Sequence, residues 1–174
     1  MDRLWSPWRL DYITGGGQTT GCIFCLPAEA PAKAGGVSRP PEPDSLVIFD
    51  GSACYVLLNL YPYNNGHLMV VPYRHVATLA GLTSDEMNEI GRLMQRCEAV
   101  LTEAYQPHGF NVGINLGKPA GAGVLDHVHV HVVPRWSGDT SFMTVVGDMR
   151  VLPEDLGASA ARLRPIFAKL NASR

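Results

Sequence analysis

The chain has 174 residues, 46% of them hydrophobic and 17% charged, with a formal charge of -2, which is enough to bury one core and excludes both compositional disorder and a basic coat for polyanions. No stretch approaches the roughly 20 apolar residues that cross a bilayer, and Met1-Asp2-Arg3-Leu4-Trp5 has no basic flank leading into an apolar run. A soluble, cytoplasmic protein is expected, with neither a nucleic-acid polymer nor a membrane as partner.

One domain is expected over residues 1–174. An N-terminal arm, 1–21, carries Trp5, Trp8 and Tyr12 and bends at Gly15-Gly16-Gly17. Next comes Cys22-Ile23-Phe24-Cys25, a two-residue gap suited to one tetrahedral metal. Residues 26–45 hold prolines 27, 31, 40, 41 and 43 with Gly35-Gly36, so they form a surface excursion and neither a helix interior nor a central strand. Extended runs follow at Leu46 to Phe49, Cys54 to Leu60 and His67 to Pro72, separated by the turn signals Asp50-Gly51 and Asn64-Asn65-Gly66. Thr83 and Glu86 fit a capping box, and behind them Met87, Ile90, Met94, Cys97, Leu101 and Tyr105 make a helical stripe that Pro107 ends. Strands are expected at Phe110 to Leu116 and Val124 to Pro134, joined by the glycine-rich loop Gly117 to Gly123. Leu156, Ala160, Leu163, Phe167 and Leu170 suggest a closing helix, kinked or irregular at Pro165. Strands, a helix, then strands again indicate an α+β domain: an antiparallel sheet with one long helix and a C-terminal helix packed on it. Cys54 and Cys97 read as buried thiols.

The chemistry concentrates in His127-Val128-His129-Val130-His131. At strand period the three imidazoles share one face while the valines face the core. Neighbours stand about 6.6 Å apart and the outer pair about 13 Å, so the three serve distinct roles in a row and do not share one ion. A histidine with one nitrogen held by a hydrogen bond and the other unprotonated can attack phosphorus, dividing one hard displacement into two through a phosphoramidate. The preceding glycines would let backbone N–H groups approach phosphate oxygens, and Lys118 adds a cation.

On these residues the chain resembles the histidine triad superfamily, whose signature is three alternating histidines followed by hydrophobic residues. The likeness runs from about Ile48 to Trp136, and Trp5-Ser6-Pro7-Trp8-Arg9 and Gly138-Asp139 resemble the bacterial members that act on diadenosine polyphosphates. The resemblance implies a two-layer fold, a homodimer whose sheet extends across the subunits, and nucleotidyl hydrolase or transferase chemistry with His129 as nucleophile. It also implies that His131 and His67 contact or orient the phosphate site and that Asn59 meets the ribose, while Gly121, Ala122 and Gly123 line the phosphates. Asn115 stands where relatives of the Fhit type carry a phosphate-touching glutamine, and Ala122 where they carry a second one. Without that second amide to position water, inorganic phosphate competes as the acceptor, and a phosphorylase or nucleotidyltransferase is the alternative to a hydrolase. A nucleotide-binding sensor with weak catalysis is a further alternative. Phe24, Ile48 and Leu58 are candidates for an apolar slot holding the base.

Spacing leaves His67, His75, His108 and His127 open as partners for the cysteine pair. The resemblance to zinc-bearing bacterial members, and to the related galactose-1-phosphate uridylyltransferases, implies Cys22, Cys25, His75 and His127. Four protein ligands close the shell, so the zinc would be structural.

Overall fold

The computed structural model describes residues 22–25, 45–139 and 154–172. The N-terminal arm and all but Ser45 of the 26–45 excursion lie outside the described residues. Among the described residues five strands form one antiparallel sheet: β1 (Val47–Asp50), β2 (Cys54–Leu58), β3 (Leu68–Pro72), β4 (Gly109–Ile114) and β5 (Val130–Arg135), in the order β1-β2-β3-β5-β4. Two helices, α1 (Ser84–Tyr105) and α2 (Leu156–Ala172), pack on one face. The α+β expectation holds, with both expected helices present.

Alternation decides what each face offers. Cys54, Val56 and Leu58 of β2, Leu68 and Val70 of β3, and Val130 and Val132 of β5 point to the helices and meet Ile90, Leu93, Cys97, Leu163 and Phe167. Tyr55, Met69, Val71 and Phe24 form a smaller cluster on the opposite face, which carries no helix among the described residues. Cys54 and Cys97 are fully buried, and burial pushes the Cys54 thiol up to about 12.

The capping box forms as expected: Thr83 accepts from the Glu86 N–H, and the Glu86 carboxylate accepts from the Thr83 N–H. The core stripe of α1 is rotated from the expected one, with Leu93 and Val100 buried and Met87 48% exposed. At that first turn Arg74 and the cap draw Glu86 inward, turning Met87 outward.

Several boundaries differ for physical reasons. β2 ends at Leu58 because Asn59 Oδ1 accepts from the Tyr61 N–H at 2.9 Å, bending the chain. β4 runs from Gly109 to Ile114 and stops before Leu116. The glycine loop contains a short 3-10 turn, Lys118–Ala120, flanked by Gly117 and Gly121 at φ 81° and 87°, the left-handed region glycine allows. The last strand begins at Val130, where pairing with both β3 and β4 starts, not at Val124. Before it, Val128 N–H donates to Val76 O at 2.7 Å and imidazoles take up backbone carbonyls, replacing the ladder. Finally, α2 continues through Pro165 without a break. Pro165 and Ala161 both lie on the exposed side, where water can satisfy the carbonyl that the proline leaves without a helical donor.

Candidate active site and metal cluster

His67 directly precedes β3 and follows Gly66, whose φ is 72° and whose missing Cβ would approach Tyr105 and Leu101 within 2.8 and 2.9 Å, so the turn presses tightly on α1. The imidazole of His67 is fully buried. Tyr63 N–H donates to its Nδ1 at 3.1 Å, which leaves the proton of neutral His67 on Nε2. That Nε2–H donates to Nδ1 of His131 at 3.0 Å. By the same reasoning the proton of neutral His131 sits on Nε2, away from His67. His67 thus bonds His131 and has no exposed surface of its own.

His129 is 5% exposed. Its Nδ1 lies 2.9 Å from the carbonyl oxygen of His127, which can only accept, so Nδ1 carries the proton and Nε2 keeps its lone pair. Burial holds this imidazole below the ordinary histidine pKa, against the opposing pull of that hydrogen bond. Phe24 packs against it with ring centroids 4.8 Å apart, and His131 stands edge-on at 4.9 Å. A neutral, desolvated, orientation-locked imidazole is what nucleophilic attack on phosphorus requires.

Asn59, Asn115 and the loop residues take different places. Asn59 Nδ2 lies 3.4 Å from His67 Nδ1, and its Oδ1 holds the Tyr61 N–H, which leaves one amide hydrogen and one lone pair for a ligand. Asn115 shares a cavity with His131. Lys118, Gly121, Ala122 and Gly123 do not line that cavity, and Lys118 is exposed on its 3-10 turn. Ile48 and Leu58 are buried among the helices on the far face of the sheet and cannot form a base slot; Phe24 alone of that trio lies by the histidines.

Cys22, Cys25, His75 and His127 converge, each offering one ligand atom with all four atoms within 4.8 Å of one another. His127 Nδ1 lies 3.3 Å from Cys22 Sγ and 3.7 Å from Cys25 Sγ, and His75 Nδ1 lies 3.2 Å from Cys25 Sγ. A zinc tetrahedron with Zn–S near 2.3 Å and Zn–N near 2.0 Å has edges of about 3.3–3.8 Å; these three separations match it, the other three lie within 4.8 Å, and two thiols with two imidazoles are the donor chemistry zinc takes. Outward, His127 Nε2–H donates to Pro72 O at 2.9 Å, and His75 Nε2 faces Asp126 Oδ2 at 3.5 Å. These acceptors keep the protons off the two inward nitrogens. His67 and His108 stand elsewhere, His108 bonding Ser137.

Sequence reasoning missed Tyr63 and Asp126. Asp126 adjoins His127 and could have been suspected; Tyr63 carries no local signal.

The HIT domain family model matches residues 40–138. The chain belongs to the HIT family. It is 42% identical over 166 residues to an AP-4-A phosphorylase of Mycobacterium tuberculosis, covering 88% of this chain and 78% of that protein. It is 35% identical over 129 residues to a bis(5'-adenosyl)-triphosphatase of Dictyostelium discoideum, covering 71% and 86%. A Zn-bound histidine triad family protein from Mycobacterium smegmatis superposes with a TM-score of 0.62 at 29% identity, covering 75% of this chain and 88% of that one. Among the described residues, no helix of this HIT protein is long and apolar enough to cross a membrane.

Proposed function

We propose that this protein cleaves dinucleoside polyphosphates at the α-phosphorus through a nucleotidyl-His129 intermediate. The observation that carries the reading is the bond from His129 Nδ1–H to His127 O, which leaves Nε2 as a neutral nucleophile in a dry site. Nε2 attacks phosphorus, the bond to the bridging oxygen breaks, and its electron pair leaves with the remaining polyphosphate. An acceptor oxygen then attacks the same phosphorus, and the nitrogen recovers its pair. His131 offers Nε2–H to the phosphate oxygens, held in that tautomer by His67. Asn115, Lys118 and the Gly123 backbone are assigned to the phosphates and Asn59 to the ribose, while the N–H groups of Gly121 and Ala122 are held by Lys118 O and Gly117 O and shape the loop instead.

Ala122 favours a second reading, in which phosphate is the acceptor, and the similarity to an AP-4-A phosphorylase supports it. Incubating the protein with diadenosine tetraphosphate, with and without inorganic phosphate, decides: AMP plus ATP means hydrolysis, ADP plus ATP means phosphorolysis, and binding without turnover refutes both.

Zinc is assigned to Cys22, Cys25, His75 and His127. With its shell closed by protein, the ion supplies cross-linking, not an activated hydroxide. Thiolate ligands suit a reducing cytoplasm, where we place the protein. We also infer a homodimer. β4 is an edge strand, Val112 on it is 53% exposed, and a groove of about 580 Å³ between Met87, Gly91, Met94, Phe110 and Val112 runs beside it. A second copy pairing there would continue the sheet and cover the apolar groove.

A further inference from the structure

The face of the sheet opposite α1 and α2 is divided by the row His129, His131. Asn59 lies beyond it on the β2 side. On the β4 side a trough of about 360 Å³ opens, whose lining includes Tyr63, Asn111, Gly113, Asn115, His131 and Arg135 with two valines between them. The register places Gly113 opposite His131 and Asn111 opposite Val133, so the trough follows two strands from the phosphate site toward Arg135. From residue 131 to 135 this is about 13 Å of strand.

Gly113 marks the floor. Its backbone is not among the positive-φ glycines, and an added Cβ would meet nothing within 4 Å. Neither conformation nor packing asks for glycine here, in a strand that glycine weakens; what its absent side chain does is keep the trough open.

The walls present donors. Arg135 is fixed by Asp139 through bonds of 2.6 and 2.8 Å, and it donates to Asn111 Oδ1 at 2.5 Å. With that oxygen occupied, the Asn111 amide has its NH2 to offer a ligand. The Nε2–H of His131 stands at the other end. A shape of this length with donors at intervals suits phosphate oxygens and a ribose.

We propose that this trough is the subsite for the leaving half of the substrate, the polyphosphate and nucleoside released as His129 is nucleotidylated. The inference rests on the nucleotidyl-transfer reading. As the Nε2–P bond forms, the P–O bond breaks, and the departing terminal phosphate carries the electron pair into the trough as an oxyanion that His131 and Asn111 stabilise.

The test compares two substrates with the same transferred nucleotide. Diadenosine tetraphosphate loses ATP; adenosine 5′-phosphorofluoridate loses fluoride, which needs no trough. Gly113→Phe fills the floor, and Asn111→Ala removes one donor with little steric change. Gly113→Phe is expected to lower kcat/KM for the tetraphosphate at least tenfold, mainly through KM, and Asn111→Ala about three- to tenfold, while both stay within twofold of wild type on the fluoridate. Equal losses on both substrates for Asn111→Ala, or no loss on the tetraphosphate for either variant, overturn the subsite. Wild-type protein that turns over neither substrate overturns the nucleotidyl-transfer reading itself, and the subsite with it.

Discussion

The carbonyl oxygen of His127 accepts the Nδ1–H of His129 at 2.9 Å, while the imidazole of His127 faces two cysteine sulfurs on its other side. One residue thus joins the Cys22-Cys25-His75-His127 cluster to His129, the proposed nucleophile. Its ring is held by Pro72 O and the cysteine pair, and its backbone sets the tautomer of the next histidine but one. Phe24, between the two cysteines, adds a second link by packing on both rings at 5.7 and 4.8 Å.

Replacing His129 separates the two proposed roles, nucleotidyl transfer and zinc binding. His129→Ala is expected to abolish nucleotidyl transfer, a loss on the order of a thousandfold or more in kcat, with zinc content unchanged by metal analysis. A variant that loses its zinc together with activity would show that His129 serves the metal. Stripping metal from the wild-type protein with a chelator should lower both the thermal midpoint and kcat, because His127 then no longer holds the His129 acceptor in place; an unchanged midpoint would refute that coupling.

Asp126 faces Nε2 of His75 at 3.5 Å and is otherwise exposed. A carboxylate behind a ligating imidazole fixes its orientation and raises its basicity, and losing such a partner costs about 10- to 100-fold in metal affinity. Asp126→Asn should therefore release zinc to a chromophoric chelator at correspondingly lower chelator concentration, with turnover of the metal-loaded protein within a fewfold of wild type. Equal zinc affinity in the two proteins would show that Asp126 only decorates the surface.

How much of this was legible in the sequence depends on how local the signal is. The alternation at residues 127–131, the capping box of Thr83 and Glu86, and the cysteine pair each occupy a few consecutive residues and translate directly into geometry. Leu58 misled because β2 is apolar on both faces, Cys54, Tyr55, Val56, Leu57 and Leu58 in succession, and Ile48 because Val47 and Phe49 beside it in β1 are apolar too, so alternation cannot tell the helix side from the ligand side. The relay from His67 to His131 spans 64 residues and Tyr63 enters it through a backbone N–H, which no side-chain pattern records. Nor does a strand reading of 124–134 foresee that the imidazoles of His127 and His129 bond backbone carbonyls and displace the ladder.

The exposed edge at β4 predicts the assembly. Val112 carries apolar surface beside a strand edge that no described strand pairs, and a charge placed there would have to be buried if two copies met along β4. Wild-type protein should sediment as a dimer at micromolar concentration and Val112→Asp as a monomer with the same far-ultraviolet circular dichroism. A wild-type monomer at that concentration would exclude the shared sheet.

Glu86 predicts how stability responds to acid. Its carboxylate accepts from Arg74 at 2.7 and 2.9 Å and from the Thr83 N–H at 2.7 Å, and the Arg74 hydrogen bonds lead in holding its pKa below the ordinary glutamate value, against burial. A folded-state pKa below the unfolded one means stability that is fully present above the unfolded value of about 4.3 and lost as pH falls through the folded value. Glu86→Gln should cost about 1–2 kcal/mol at pH 7, the size of a lost cap and charge-assisted bond. In urea unfolding the gap between variant and wild type should narrow steadily below about pH 4. A gap of the same size at pH 7 and pH 3 would mean that the shape of the side chain, and not its ionised form, anchors α1 to the Arg74 loop beside His75.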